Sequence, residues 1–289
     1  MNEISLLELI PRSVINVDKP AGLTSNDVVV EIKKIFGLKC CGHTGTLDPN
    51  VTGVLVVALG NATKAMPVLI GLDKEYEGVM YLHKDIKLKE LKEIISKNFI
   101  GEITQTPPVK SHVARKPRKR KVYSFDILGK NEKNVKFKTK VESGTYIRKL
   151  CSDIGEKLGI KAQMRELRRT KVGHFTIEKS YSLNEIRNAY ETWKKGIETL
   201  LRNILIPIEK AIPHVKKVYV KDDNISYIRN GAPVTTSDII KADSKIGCNE
   251  TVGIFSSNDE LIAIGVSKVD SKGMIDKTNK SVVRIDRVF

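Results

Sequence analysis

An α+β fold is predicted by the sequence, with a large mixed or antiparallel β-sheet and flanking helices in a first domain and a small β-barrel-like second domain. Helix and strand patterns are interspersed up to Pro213, which favours helices packed on a mixed sheet. Beyond Pro213 the chain has short β-type segments separated by turns, as small β domains do. We therefore expect domains at residues 1–213 and 214–289, with the N-terminal residues packing on the second domain.

Hydrophobic periodicity predicts the elements of each domain in order. Residues 53–59 form a continuous apolar run, typical of a buried strand, whereas residues 135–141 alternate as a strand with one solvated face does. In the first domain we predict strands at residues 13–17, 53–59, 74–82 and 135–141. Helices are predicted at residues 25–36, 88–96, 145 to about 158, and 183–205 with a break at Gly196. The β runs of the second domain are residues 218–220, 251–255, 261–266 and 282–288.

Positive charge dominates the composition and lies almost entirely in the first domain. The chain has 50 Lys and Arg against 34 Asp and Glu, which gives a net charge of +16 and a pI near 9.6. Of this charge, +14 lies upstream of His214. A polyanionic partner is favoured, although a lysine-rich solvated surface would give the same count.

The sequence gives little support for a zinc-binding, a secreted or a membrane protein. The chain has four cysteines and no CxxC pair, which argues against a zinc site and for reduced thiols in the cytoplasm. No apolar run approaches the roughly 20 residues that span a bilayer. Residues 1–11 contain Glu3 and Glu8 and lack the pattern of a signal peptide.

Residues 42–53 form the loop around which the first domain is organised. Glycine, threonine and proline separate the preceding helix from the following strand. Glycines at positions 42, 45 and 53 permit backbone conformations that other residues avoid. Asp48 therefore lies on a shaped loop between two packed elements, where catalytic groups are common. Taken alone, an Asp before Pro more often just initiates a turn.

A basic segment from Lys110 to Lys121 contains no acidic residue and is predicted to be a mobile loop. We interpret it as an RNA clamp, although a nuclear-localisation-like tract has the same composition. Its candidate RNA-binding residues are Lys110, Arg115, Lys116, Arg118, Lys119 and Arg120.

Five motifs occur in the order seen in one family of RNA-modifying enzymes. They are KPAG at residues 19–22, GHTGTLDP at 42–49, KEY at 74–76, GTYIR at 144–148 and QMRELRR at 163–169. Together they make the chain resemble the TruB/dyskerin family of pseudouridine synthases over nearly its whole length. The third and fifth motifs resemble dyskerin and its archaeal counterpart more than the bacterial tRNA enzymes, and the second domain resembles a PUA domain.

The resemblance implies isomerisation of uridine in RNA without a metal or other cofactor. It implies that Asp48 forms a covalent adduct with the nucleotide, with attack on the base, attack on the sugar C1′ and a glycal route all open. The carboxylate must stay ionised in a closed pocket, which a neighbouring arginine favours; Arg148 is the candidate, although it could be a surface arginine. Tyr76 is implied to stack on the target uracil, although a core strand tyrosine would look the same.

Three further residues are assigned to substrate or RNA contacts by the resemblance. Leu167 would line the uracil pocket, although a leucine is otherwise simply core. Lys19 would contact phosphate or merely steady its turn. His43 would help to hold the target base outside its helix, although a lone His is more often structural.

The archaeal-type resemblance also implies partners. A box H/ACA guide RNA would select rRNA uridines by base pairing. Companion proteins would include a small zinc-ribbon-like protein, a small β-barrel protein and a kink-turn-binding ribosomal protein. One alternative is a stand-alone synthase acting on uridine 55 of tRNA. Another is a non-catalytic RNA-binding scaffold, against which the co-occurrence of Asp48, Tyr76 and Arg148 argues.

Overall fold

Two β-sheets organise the residues that the computed structural model describes, which are 4–107, 116–276 and 280–289. The α-helices of this part of the chain are α1 (Leu6–Leu9), α2 (Ser25–Phe36), α3 (Met66–Ile70), α4 (Leu88–Asn98), α5 (Ile147–Lys157), α6 (Leu183–Lys194), α7 (Thr199–Ile204), α8 (Ile208–Ala211) and α9 (Ile225–Arg229). Short 3-10 helices lie at Ile10–Arg12, Gly60–Ala65, Ile177–Lys179, Asp222–Asn224 and Thr236–Asp238.

The strands divide into a first group of ten and a second group of six. The first group is β1 (Ser13–Lys19), β2 (Cys41–His43), β3 (Thr52–Leu59), β4 (Lys74–Leu82), β5 (Gly101–Gln105), β6 (Arg118–Asn131), β7 (Asn134–Val141), β8 (Ala162–Val172), β9 (Phe175–Thr176) and β10 (Ile206–Pro207). The second group is β11 (Lys216–Val220), β12 (Val234–Thr235), β13 (Ile239–Ala242), β14 (Thr251–Phe255), β15 (Leu261–Ser267) and β16 (Ser281–Val288).

The larger sheet joins two antiparallel parts through one parallel contact. Its main path is β10-β1-β3-β8-β4-β7-β6-β5, with β2 paired to β3 and β9 paired to β8. The parallel contact joins β3 to β8, with Thr52 opposite Arg168 and Gly53 opposite Arg169. This junction lies where the loop that carries Asp48 ends.

Burial of both faces of β3 explains why its sequence is apolar throughout. Alternate residues from Leu55 to Leu59 pack in a core with α2 and α6, and those from Val54 to Ala58 pack in a core on the other face. In contrast, buried and more exposed residues alternate along β4 and β7. Their buried side packs on α4 and α5 in a third core.

The second domain is a barrel-like sheet that shares a core with the first. Its strand order is β12-β16-β15-β14-β11-β13, with β11 and β14 parallel. Phe255 and Leu261 of this domain belong to the same buried cluster as Val14 and Val54 of the first. We call this cluster the shared core.

Polar contacts reinforce the joint between the domains. The Arg12 guanidinium lies 2.8 Å from the Glu260 carboxylate and 3.2 Å from that of Glu209. It also donates a hydrogen bond to the Leu261 carbonyl at 3.1 Å. The N-terminal segment therefore binds the second domain through Arg12.

The structure confirms the α+β class and most of the predicted elements, and it corrects the basic loop. Residues 118–121 begin β6 and pair with β5, so the prediction of a loop is wrong there. Backbone hydrogen bonds do not depend on side-chain charge, and side chains of an extended strand can project into solvent. Lys110 and Arg115 lie outside the described residues.

All four cysteines are free thiols. Burial raises the pKa of the Cys151 thiol to about 12, and burial also raises that of Cys41. Among the helices of the described residues, none combines the length and apolar character needed to cross a bilayer.

Candidate active site

The loop that carries Asp48 is fixed from the side of α2. Thr24 caps this helix, because its side chain accepts a hydrogen bond from the Asp27 N–H at 3.0 Å. Ser25 is therefore left to bind the loop: its Oγ accepts from the Leu47 N–H at 2.8 Å and donates to the Leu47 carbonyl at 3.2 Å. These two bonds hold the residue immediately before Asp48.

Asp48 forms an ion pair with Arg148, a residue of the first turn of α5. About half of each side chain remains exposed, so the pair lies at the protein surface and not in the core. A carboxylate held in this way is oriented by the guanidinium and remains accessible to a substrate. This is the geometry that an oriented nucleophile requires.

Gln105 positions the start of α5. Its side chain is buried; Nε2 donates to the Tyr146 carbonyl at 3.2 Å, and Oε1 accepts from the Tyr146 N–H at 3.0 Å. Tyr146 directly precedes α5, so this clamp fixes the helix turn that carries Arg148. Sequence reasoning missed Gln105 and Tyr146, because nothing in the sequence indicates a clamp between residues 41 positions apart.

Tyr76 and Leu167 belong to the apolar cluster that also contains Leu47 and Ile147, the chain neighbours of Asp48 and Arg148, and we call these two residues the wall of the site. Tyr76 is buried in the same cluster as Leu47 and Val51, the apolar residues on either side of Asp48, and Leu167 packs against that cluster. Leu167 lies opposite Gly78 in the β4–β8 ladder. The structure therefore brings together Asp48, Arg148, Tyr76 and Leu167.

Lys19, for which phosphate contact and steadying of its turn were both expected possibilities, binds backbone carbonyls. Its side chain is fully buried. Its ammonium donates to the carbonyls of Pro20 at 2.8 Å, Leu23 at 2.5 Å and Pro49 at 3.0 Å, so all three donors are used. Burial lowers the pKa of Lys19. The residue steadies its turn and ties it to Pro49, next to Asp48.

His43 lies at the end of β2 and faces the loop. Its Nδ1 accepts a hydrogen bond from the Gly45 N–H at 3.3 Å. Burial lowers the pKa of His43, and the charge of Arg169 lowers it further, so the neutral ring is favoured. In the part of the chain that the structure describes, no group of three or more His, Cys, Asp or Glu side chains could hold a metal ion.

Two buried cations beneath the site were missed by sequence reasoning. Arg169 is 1 % exposed and donates to the Val54 carbonyl at 2.7 Å and the Gly45 carbonyl at 3.0 Å. Lys74 is 5 % exposed, and burial, then the charge of Arg169, lower its pKa to about 8. For Arg169 the sequence did contain a signal. Successive side chains of a strand point to opposite faces, so one of the two consecutive arginines at 168 and 169 must face the core.

Of the candidate RNA-binding residues in the basic segment, the structure describes Lys116, Arg118, Lys119 and Arg120. Arg118 and Arg120 line a cleft of about 180 Å³ together with Gln105, Gly144 and Tyr146. Lys116 is exposed, and the exposed Lys119 forms an ion pair with Glu102 at 2.8 Å. The bond to that carboxylate raises the pKa of Lys119. The cleft lies directly beside the residue that precedes α5.

Three family models match successive parts of the chain. Residues 33–147 match the TruB family pseudouridylate synthase (N terminal domain), and residues 148–213 match the tRNA pseudouridylate synthase B C-terminal domain. Residues 216–289 match the PUA domain.

Relatives of known name are similar over almost the whole chain. A probable tRNA pseudouridine synthase B of Nanoarchaeum equitans is 44% identical over 282 residues, which cover 97% of this chain and 80% of the relative. A protein of the same name from Methanopyrus kandleri is 42% identical over 283 residues, which cover 98% of this chain and 83% of the relative.

Solved structures extend the similarity to three dimensions. A chain in the crystal structure of a Cbf5-Nop10-Gar1 complex superposes with a TM-score of 0.92 at 40% identity, covering 99% of this chain and 87% of that one. A chain of an H/ACA RNP bound to a substrate RNA containing 2′-deoxyuridine gives a TM-score of 0.90 at 39% identity, with the same coverage.

Proposed function

This chain belongs to the TruB family of pseudouridine synthases, and we propose that Asp48 is the residue with which it isomerises uridine in RNA. The observation that carries this proposal is the half-exposed Asp48–Arg148 ion pair beside the wall formed by Tyr76 and Leu167. A carboxylate can bond covalently to the nucleotide, while an apolar wall suits a flat, uncharged base.

The reaction exchanges one glycosidic bond for another. The bond between N1 of uracil and C1′ of ribose breaks, and a bond between C5 and C1′ forms after the base has turned. The proton on C5 is lost to solvent, and N1 gains a proton, so no oxidant or reductant is consumed. Asp48 needs only to hold the nucleotide while the base turns.

Each neighbour of Asp48 has a role in this scheme. Arg148 orients the carboxylate through their ion pair. Tyr76 provides a ring for the uracil to stack on. The neutral His43 helps to hold the target nucleotide outside its helix, since chemistry on a base requires it to leave its stack.

We infer that the RNA is bound through its backbone and selected through a guide. The net charge of +16 supports phosphate contacts, which position an RNA without reading its sequence. Likeness over 99% of the chain to proteins found in a Cbf5-Nop10-Gar1 complex and an H/ACA RNP supports a guide-dependent reaction on rRNA. Its companions would be a zinc-ribbon-like protein, a small β-barrel protein and a kink-turn-binding ribosomal protein. The free thiols fit a cytoplasmic location.

A stand-alone reaction on tRNA is the second candidate. It is favoured by the names of the relatives from Nanoarchaeum equitans and Methanopyrus kandleri, both probable tRNA pseudouridine synthases B. In that case the protein alone would recognise the tRNA that carries uridine 55.

Asp48→Asn tests the catalytic proposal. We expect RNA binding within about threefold of wild type and loss of pseudouridine formation, because the variant is isosteric but not a nucleophile. Asp126→Asn, at an exposed position of β6, is the matched control and should remain active. Full activity of Asp48→Asn would exclude Asp48 as the nucleophile.

Reconstitution distinguishes the two substrates. Pseudouridine is measured in a guide-matched RNA and in tRNA with protein alone, with companions, and with companions plus guide. Activity on the first RNA only in the complete mixture supports guide dependence. Activity on tRNA with protein alone, with no gain from the guide, supports the stand-alone reaction.

A further inference from the structure

Arg169 lies where three parts of the candidate site meet. Its backbone on β8 lies opposite Tyr76 of β4 on one side and Gly53 of β3 on the other. Its side chain reaches the loop that carries Asp48. One residue thus contacts the strand of the stacking tyrosine and both flanks of the catalytic loop.

The guanidinium bridges one point inside the loop and one just beyond its end. Nη2 donates to the Gly45 carbonyl at 3.0 Å, and Nε donates to the Val54 carbonyl at 2.7 Å. The planar guanidinium holds its donors in a fixed arrangement, so it fixes the distance between these two carbonyls. Both carbonyls belong to backbone on either side of Asp48.

The backbone of Arg169 is pressed against the same loop. Gly53 has a φ of +105°, and a Cβ there would lie 2.2 Å from the Arg169 carbonyl oxygen. This approach leaves no space for a side chain, and it explains why the loop ends in a glycine. The side chain and backbone of Arg169 therefore hold the loop on both sides of Asp48, at Gly45, Gly53 and Val54.

The charge of Arg169 has no carboxylate partner among the described residues, and it adds to the positive potential felt by Lys19 and Lys74. A buried cation without such a partner is costly in free energy. The guanidinium instead donates hydrogen bonds to the carbonyls of Gly45 and Val54.

We propose that Arg169 is a positioning residue for Asp48. It sets the shape of residues 42–53 and so keeps the Asp48 carboxylate aligned with Arg148 and the uracil wall. The inference rests on the proposed function, in which Asp48 is the catalytic carboxylate. The proposal means that catalysis also depends on a residue buried beneath the site, which acts through the loop and not by binding RNA.

The test compares Arg169→Lys with Arg165→Lys, an identical substitution at an exposed position of the same strand. Lysine keeps the charge but has one terminal nitrogen, so it cannot reproduce the fork between the two carbonyls. Single-turnover isomerisation is followed by release of tritium from C5 of uridine, in the mixture in which the wild-type protein is active. Hydrogen exchange of residues 42–53 is measured by mass spectrometry on the same samples. Arg169→Gln, which buries no charge, replaces the lysine variant if that one fails to fold.

We expect the Arg169 variant to be at least about tenfold slower in single turnover with KM within about twofold of wild type, since misplaced reacting groups slow chemistry more than binding. Exchange should rise in residues 42–53 and nowhere else. A wild-type rate, or faster exchange spread over the whole protein, would overturn the proposal. Asp48→Asn is assayed in parallel: its activity would refute the proposed function itself, whereas an inactive Asp48→Asn with a fully active Arg169 variant would refute only this inference.

Discussion

The buried ammonium of Lys74 makes the stability of the protein depend on pH in the alkaline range. Only 5 % of Lys74 is exposed. Its three donors bind the carbonyls of Ile70 at 2.7 Å and Leu72 at 2.6 Å and the hydroxyl of Ser143 at 2.9 Å. Even so, burial lowers the pKa of the folded protein's Lys74 from 10.5 to about 8, with Arg169 as the second cause.

The sign and size of the effect follow from proton linkage. Between pH 8 and 10.5 the unfolded chain holds this proton while the folded protein has released it, so the free energy of unfolding rises with pH. The difference between the two pKa values corresponds to about 3 kcal/mol. Below pH 8 both states are protonated, and the folded protein bears the full cost of the buried charge.

Urea unfolding of wild type and Lys74→Met measures this contribution. Between pH 7.5 and about 10 the wild-type protein should gain roughly 2–3 kcal/mol relative to the variant, because titration of all other groups is common to both. Lys136→Met, at an exposed position of β7, is the control and should show no such difference. A flat or falling difference between wild type and Lys74→Met would refute the reasoning.

Three more predictions concern stability, each measured by urea unfolding. Lys19→Met should cost about 2–4 kcal/mol, because the carbonyls of Pro20 and Leu23 lose their donor and that of Pro49 keeps only the Gly22 N–H; a neutral result would mean that the carbonyls find other partners. Gly53→Ala should cost at least about 3 kcal/mol, whereas Gly22→Ala, which also has positive φ but no atom within 4 Å, should cost about 1 kcal/mol; equal losses would contradict the role of the close approach. Arg12→Met should cost about 1–3 kcal/mol, since it leaves Glu209 without its guanidinium and Glu260 with that of Arg229 alone; an unchanged stability would show that the shared core alone holds the domains.

Sequence patterns predicted the strands that are buried evenly along their length, on one face or on both. The apolar run of β3 and the alternation of β4 and β7 reflect burial on two faces and on one face. Asp48 could be chosen because its loop is shaped by glycines and because the motifs resemble those of a family. Its pairing with Arg148, 100 residues away, came from that resemblance and not from spacing.

Sequence patterns failed where the partner of a charge is a backbone carbonyl. For Lys19 the sequence left phosphate contact and steadying of the turn both open, since it does not show that three carbonyls surround the ammonium. Arg169 stands beside the more exposed Arg168, and only strand alternation distinguishes them. The basic run at 118–121 was predicted to be a loop because a dense run of charge is typical of loops. The sequence does not show that its backbone pairs with β5.

The shared core makes each domain depend on the other for part of its apolar burial. Phe255, Leu261 and Ile264 of the second domain are fully or almost fully buried against the first. A chain ending at residue 213 would leave Val14 and Val54 without these neighbours and expose apolar surface to water. We therefore expect deletion of the PUA domain to destabilise the first domain.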